Sequence, residues 1–154
     1  MTFQITRAQL QDIGELVDFN LAMARETEDK PLDIGKLHRG ITYAVQHPAE
    51  AIYLVAKVDE ILVGALMTTF EWSDWRAGRF WWIQSVYVKP RWRRQGVYRS
   101  LHHAVRDLAS DDPLAIGLRL YVERENTTAK HTYLRLGMVE THYRLFEEEF
   151  IRKS

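Results

Sequence analysis

One stretch constrains the chain more than any other: Tyr87-Val-Lys-Pro-Arg-Trp-Arg-Arg-Gln-Gly96-Val-Tyr-Arg-Ser-Leu101. An apolar run leads into it and an amphipathic pattern leads out. Lys89, Arg91, Arg93 and Arg94 lie between the two, followed by Gly96, and no acidic residue appears between Lys89 and Asp107. The order is strand, cationic turn, glycine, helix start. The first amides of a helix have no partner within it, and the helix dipole makes that end positive. A glycine there lets backbone approach a ligand closely. The stretch is therefore an anion cradle of the kind that holds a pyrophosphate.

The other half of the argument is what the chain lacks. Formal net charge is zero, which argues against a nucleic-acid partner, so the positive charge of the cradle is local. There are no cysteines, which removes disulfides, thiolate metal sites and cysteine nucleophiles and fits a reducing cytoplasm. The six histidines show no metal-ligand spacing, so no metal is expected. No apolar run approaches the ~18 residues of a membrane span, and the N-terminal residues do not read as a signal peptide, so no membrane association is expected. With 154 residues the chain is expected to form a single domain, 1–154.

Taken in order, residues 2–7 alternate and predict a short strand. Ile13, Leu16, Val17, Leu21 and Ala24 share a helical face and predict a helix over 8–25. Glu26, Glu28 and Pro31 lie in the loop that follows, and Asp33 caps a second helix with Ile34, Leu37, Ile41 and Val45 as its stripe. Residues 51–58 and 61–70 form a hairpin across Asp59-Glu60. Residues 80–88 are apolar at both parities, with Trp82, Val86 and Val88 on one side and Trp81, Ile83 and Tyr87 on the other. Such a strand is covered on both faces, hence central. A helix follows Gly96, then a strand at 118–122, a helix from Asn126 to Leu136 with Gly137 at its C-terminus, and a last strand at 139–146. The class is α/β (α+β) with a mixed central sheet flanked by helices, in the order β-α-α-β-β-β-α-β-α-β.

Two motifs in this frame resemble those of the GCN5-related N-acetyltransferases. The first is Val86-Tyr87-Val88 followed by Arg93, Arg94, Gln95, Gly96, Val97 and Tyr98, similar to the family's acetyl-CoA loop. The second is Asn126-Thr-Thr-Ala129, then Tyr133, then Gly137, similar to the family's Asn-x-x-Ala-x-x-x-Tyr-x-x-x-Gly. The loop departs from the pattern at Tyr98, which stands where a small residue is usual. The resemblance implies a GNAT-like fold over almost the whole chain and acetyl-CoA as cofactor. It implies that amides of 95–99, with Arg93, Arg94 and Arg99, take the pyrophosphate. Val86 and Val88 would pair with the pantetheine beside a splayed gap, the Val88 amide would face the acetyl oxygen, and Asn126 would touch the pantetheine.

The implied reaction is acetyl transfer by direct attack of a primary amine of a small molecule or peptide. Such an amine has a pKa near ~10 and must shed a proton first. Tyr133, by its place in the motif, is the expected general acid. The base is open among Glu71, at the exit of the third strand, and a water chain; Tyr121 occupies the place where some relatives carry a glutamate. Glu26, Glu28, Trp72 and Trp75 are the expected acceptor-binding residues, an acidic loop and an aromatic wall suited to a small cationic acceptor. A homodimer is a further expectation from the family. The competing reading is a non-catalytic acyl-CoA sensor.

Overall fold

The structure is a computed structural model that describes residues 2–152. Its strands are β1 (Gln4–Arg7), β2 (Ile52–Val58), β3 (Ile61–Ser73), β4 (Gly78–Val88) and β5 (Ala115–Arg119). Its helices are α1 (Ile13–Glu28), α2 (Ile34–Gln46), α3 (Val97–Ser110) and α4 (Thr127–Arg135), with single 3-10 turns at Leu10–Asp12 and Pro90–Trp92. The sheet runs β1-β2-β3-β4-β5. The first three pairings are antiparallel and β4–β5 is parallel, so the sheet is mixed, as expected. The chain packs as two compact units that meet in sequence at Tyr121 and Val122. The first holds all five strands and α1 to α3; the second holds α4 and the residues after it.

Side chains of β2 alternate between two apolar layers. Tyr53 and Val55 join Leu16, Phe19 and Ile41 beneath α1 and α2. Ile52 and Leu54 join Leu66, Trp81, Leu101 and Val105 beneath α3. Burying a side chain such as Leu101 is worth about 1.5–3 kcal/mol, so each layer ties its helices firmly to the sheet. Gly64 sets the closeness of α3: a Cβ there would come within 2.8 Å of Val97 Cγ1 and 3.1 Å of Tyr87 O. The β2–β3 turn is made by Asp59 and Glu60, both at positive φ (48° and 68°), the geometry of a type I′ hairpin without its usual glycine.

Four expectations need correcting. Helix α1 continues to Glu28 and is stopped by Asp29 at φ 48°, whose N–H reaches back to Ala24 O and Arg25 O. Glu26 and Glu28 are therefore on the last turn of the helix, not in a loop. Strand β5 spans Ala115–Arg119, earlier than 118–122. Residues 139–146 form no strand: Val139 and Phe146 are exposed, and alternating apolar residues do not make a strand without a ladder to join. The faces of β4 also differ. Trp81 and Ile83 belong to the α3 layer and Tyr87 to the α1–α2 layer, while Val86 and Val88 pack towards α3.

Candidate active site

The change of face in β4 has a local cause. Ala65 pairs with Tyr87 and Met67 with Gln84, so two steps on β3 match three on β4. The extra residue makes a β-bulge, and Ser85 takes a positive φ of 53° within it. A one-residue insertion exchanges the two faces beyond it. The bulge also marks where β4 loses its second neighbour. Strand β5 pairs with β4 only from Arg79 to Trp82, so from Ile83 onward β3 is the only strand that pairs with β4 among the described residues. Lys89 N–H donates to Val63 O of β3 at 2.9 Å. Neighbouring residues of a strand point their polar groups to opposite sides, so Val88 turns its N–H and C=O to the open side.

The cradle begins immediately after this edge. Arg94 (φ 62°) and Gly96 (φ 88°) bend the chain into α3, and a Cβ at Gly96 would meet nothing within 4 Å. Ser100 N–H donates to Gly96 O at 3.0 Å, so α3 begins at Val97 and its first-turn amides lie at the end of the cationic loop. Gln95 stiffens the loop through a 2.8 Å bond from Nε2 to Arg91 O. Arg94 and Arg99 are in no ion pair among the described residues.

Tyr98 does not obstruct this loop by default, because its phenol is tied to His102 Nδ1 at 3.0 Å, one turn along α3. Arg106 Nη2 lies 3.3 Å from His102 Nε2. Arginine can only donate, so Nε2 accepts, and Nδ1–H is left to donate to Tyr98 Oη. His102 is fully buried, and burial, then Arg106 and His103, hold its pKa down to about 4. The neutral imidazole thus holds the Tyr98 ring along the helix.

Arg93 works on the other side. Its Nε donates to Val88 O at 2.8 Å and its Nη2 to Glu26 Oε2 at 2.8 Å, with its guanidinium 5.5 Å from the Tyr87 ring centroid. Tyr87 Oη donates to Glu26 Oε1 at 3.3 Å, and burial, then the Glu26 charge, raises the Tyr87 phenol. The end of α1 is thereby joined to the open end of β4. Glu28 is exposed and has no such link.

A recess of about 450 Å³ opens on the α1–α2 side of the bulge. Its floor holds Asn20, Tyr53 and Ser85; Met67, Leu37 and Ile41 make walls, and Asp33 and Lys36 stand among its lining residues. Asn20 Nδ2 donates to Leu16 O and to Tyr53 Oη, both at 2.9 Å. Burial pushes the Tyr53 phenol up, while Asn20 and Ser85 bond to it. None of the floor residues was among the sequence candidates. The available signals were Asn20, a polar residue on the apolar face of α1, and Ser85, in a strand otherwise largely apolar.

The remaining candidates lie elsewhere. Glu71 pairs across the ladder with Phe80, eight residues before Val88, roughly 25 Å along the strand. Its Oε1 accepts from Trp82 Nε1 at 3.1 Å and Arg119 Nη1 at 2.8 Å. Trp72, opposite Arg79, and Trp75, 90% exposed in the β3–β4 turn, share that distant end. In the second unit, Asn126 caps α4 by accepting from Ala129 N–H at 3.1 Å. Burial raises the Tyr133 phenol above its usual range.

An open strand edge running into an anion cradle is the arrangement of a coenzyme-A-dependent acyltransferase. The sequence matches the Acetyltransferase (GNAT) family over residues 15–138, and the chain belongs to that family. It is similar to the crystal structure of a possible acetyltransferase from Clostridium difficile, at 39% identity and TM-score 0.89, covering 99% of this chain and 100% of that one. A predicted acetyltransferase from Clostridium acetobutylicum, solved with acetyl-CoA, has the same fold at 16% identity and TM-score 0.80, with 96% of each chain covered. A ribosomal-protein-alanine N-acetyltransferase from Brucella melitensis shares it at 20% identity and TM-score 0.75, covering 97% and 99%. No curated protein matches the sequence. The family's cofactor is acetyl-CoA. The residues fit it: the first-turn amides of α3, the Arg94 and Arg99 side chains, which are in no ion pair among the described residues, an open glycine and the free side of β4 offer what a pyrophosphate and a chain of amides require. Among the described residues no helix is long and apolar enough to cross a membrane.

Proposed function

We propose that the protein is an N-acetyltransferase that acetylates a primary amine by direct attack. The observation that carries this reading is the bare edge of β4 from Ile83 to Val88, set directly before the α3 amides. Acetyl-CoA supplies the activated acetyl group as a thioester. Val97, Tyr98 and Arg99 amides with Arg94 and Arg99 side chains hold the pyrophosphate, and Val86 and Val88 pair with the pantetheine as an added strand would. Val88 N–H is the donor for the acetyl oxygen. Tyr133 Oη, kept protonated by burial at neutral and mildly alkaline pH, is the proton donor. Glu26, joined to Val88 through Arg93, is the carboxylate that takes the amine's proton. Glu71 is bound to Arg119 at the other end of the sheet and has no part in the chemistry.

The test is release of free CoA thiol from acetyl-CoA across a broad panel of amines. Turnover with some amine, reduced about a hundredfold in Tyr133→Phe, is expected. Tight acetyl-CoA binding with no thiol released by any amine would replace this reading with that of an acyl-CoA sensor.

A further inference from the structure

The recess beside the bulge has an unanswered hydrogen-bond acceptor at its floor. Asn20 is 8% exposed, and both N–H bonds of its amide are spent, on Leu16 O and Tyr53 Oη. The Leu16 carbonyl can only accept, and that fixes which end of the amide is nitrogen. Oδ1 has no partner among the described residues. Asn20 lines the recess, so this acceptor is free to meet whatever enters, and it suits a ligand that brings N–H donors to it. The walls above are aliphatic, from Leu37, Ile41 and Met67. The first turn of α2 adds one charge of each sign. Asp33 Oδ1 caps the helix by accepting from Lys36 N–H at 3.1 Å, and neither the Asp33 carboxylate nor the Lys36 ammonium is in an ion pair among the described residues.

An acceptor at the floor, an aliphatic shaft and a pair of opposite charges on exposed residues describe one kind of molecule. We propose that this recess seats the acceptor and that the acceptor is a free α,ω-diamino acid, acetylated at its ω-amine. This rests on the acetyltransferase reading above. The ω-nitrogen donates to Asn20 Oδ1 near Ser85, which lies within the open edge of β4. The methylene chain lies against Leu37, Ile41 and Met67. The α-ammonium faces Asp33 and the α-carboxylate faces Lys36. In the transfer the C–N bond forms at the ω-nitrogen as the thioester C–S bond breaks; nitrogen gives up a proton and the departing thiolate gains one.

Three probes separate the contacts: lysine; 1,5-diaminopentane, which lacks the carboxylate; and 6-aminohexanoate, which lacks the α-amine. Each is titrated calorimetrically into the wild-type protein, Asp33→Asn and Lys36→Met, and each is also assayed as acceptor by thiol release. Asparagine caps a helix as well as aspartate, so Asp33→Asn removes charge and keeps α2. Lysine should bind tightest to the wild type. Lys36→Met should weaken lysine and 6-aminohexanoate about fivefold and leave the diamine unchanged, and Asp33→Asn should weaken lysine and the diamine by a similar factor and spare 6-aminohexanoate. Asn20→Leu should weaken all three. Equal effects of the surface variants on every probe, or no measurable binding of any, would overturn the proposal. Turnover with unrelated amines alongside that flat pattern would leave acetyl transfer standing and remove only the diamino-acid site. The expected binding pattern without thiol release from any amine would do the reverse.

Discussion

The two halves of β4 have the same strand geometry and opposite fates. From Arg79 to Trp82 the strand is bonded on both sides, and its side chains are pinned. Arg79 Nε and Trp81 Nε1 both donate to Asp112 Oδ2, at 2.9 and 3.0 Å, and Glu71 links Trp82 to Arg119. From Ile83 to Val88 the strand is bulged and bonded on one side, and the Val88 carbonyl is met by an arginine side chain. The satisfied half holds the sheet together. On the reading proposed above, the unsatisfied half is where a ligand made of amides and phosphates would find partners, and the bulge at Ser85 lies within that half.

Deleting Ser85 should break this contrast most severely. Without the extra residue, Val86, Tyr87 and Val88 would exchange faces, putting the Tyr87 ring into the α3 layer and withdrawing it from Phe19 and Glu26. Loss of thiol release, with destabilisation on the order of 3–5 kcal/mol from misplaced core side chains, is the expected outcome by activity assay and denaturant melt. A deletion variant that kept near-normal turnover would show that the bulge does not position the open edge.

The next effect acts through α3, which supports the open half. His102 is held neutral in the fold, with its pKa near 4 against about 6.5 in the unfolded chain. Between those values the unfolded state binds the extra proton, so stability falls as pH drops from about 6.5 to about 4 and levels off below. The contribution is roughly 3 kcal/mol. Denaturation midpoints measured at several pH values in wild type and His102→Gln should show this part of the acid sensitivity in the wild type alone. Gly64→Ala comes next. Its Cβ would press on Val97 Cγ1 and the Tyr87 carbonyl, so α3 must shift at its first residue. A cost of about 1–3 kcal/mol is expected, with a higher KM for acetyl-CoA and a nearly unchanged kcat.

Most of the architecture was legible because it rests on local chemistry. The cationic loop, Gly96, the Asp33 cap and the helical stripes each declare themselves within a few residues. What escaped depends on pairing between distant segments. The bulge cannot be read from β4 by itself, since it exists only against the register of Ala65 and Met67. The same register sends Glu71, Trp72 and Trp75 away from the cradle, although proximity in sequence to the exit of β3 made them candidates. The recess escaped for a related reason: Asn20, Tyr53 and Ser85 belong to three elements and converge only after folding. The last strand was over-read, because residues 139–146 have a strand's alternation and no ladder among the described residues. Tyr98, which breaks the loop pattern, becomes intelligible only with His102 beneath it, one turn further along the same helix.

Glu71→Gln gives the smallest expected effect and sharpens the comparison most. Its carboxylate belongs to the closed half of β4, shared between the Trp82 indole and the Arg119 guanidinium, which also lies 3.6 Å over the Phe80 ring. Glutamine retains an oxygen for either donor and loses only the charge. The pair is substantially exposed, so the change should cost no more than about 1 kcal/mol of stability. The pH–rate profile for acetyl transfer should keep its shape, because a group roughly 25 Å along the strand from Val88 cannot accept the amine's proton. A large fall in kcat would mean that chemistry reaches the closed half of β4 after all. An unchanged kcat, beside a Glu26→Gln variant that loses most of its turnover, would confine the chemistry to the open half.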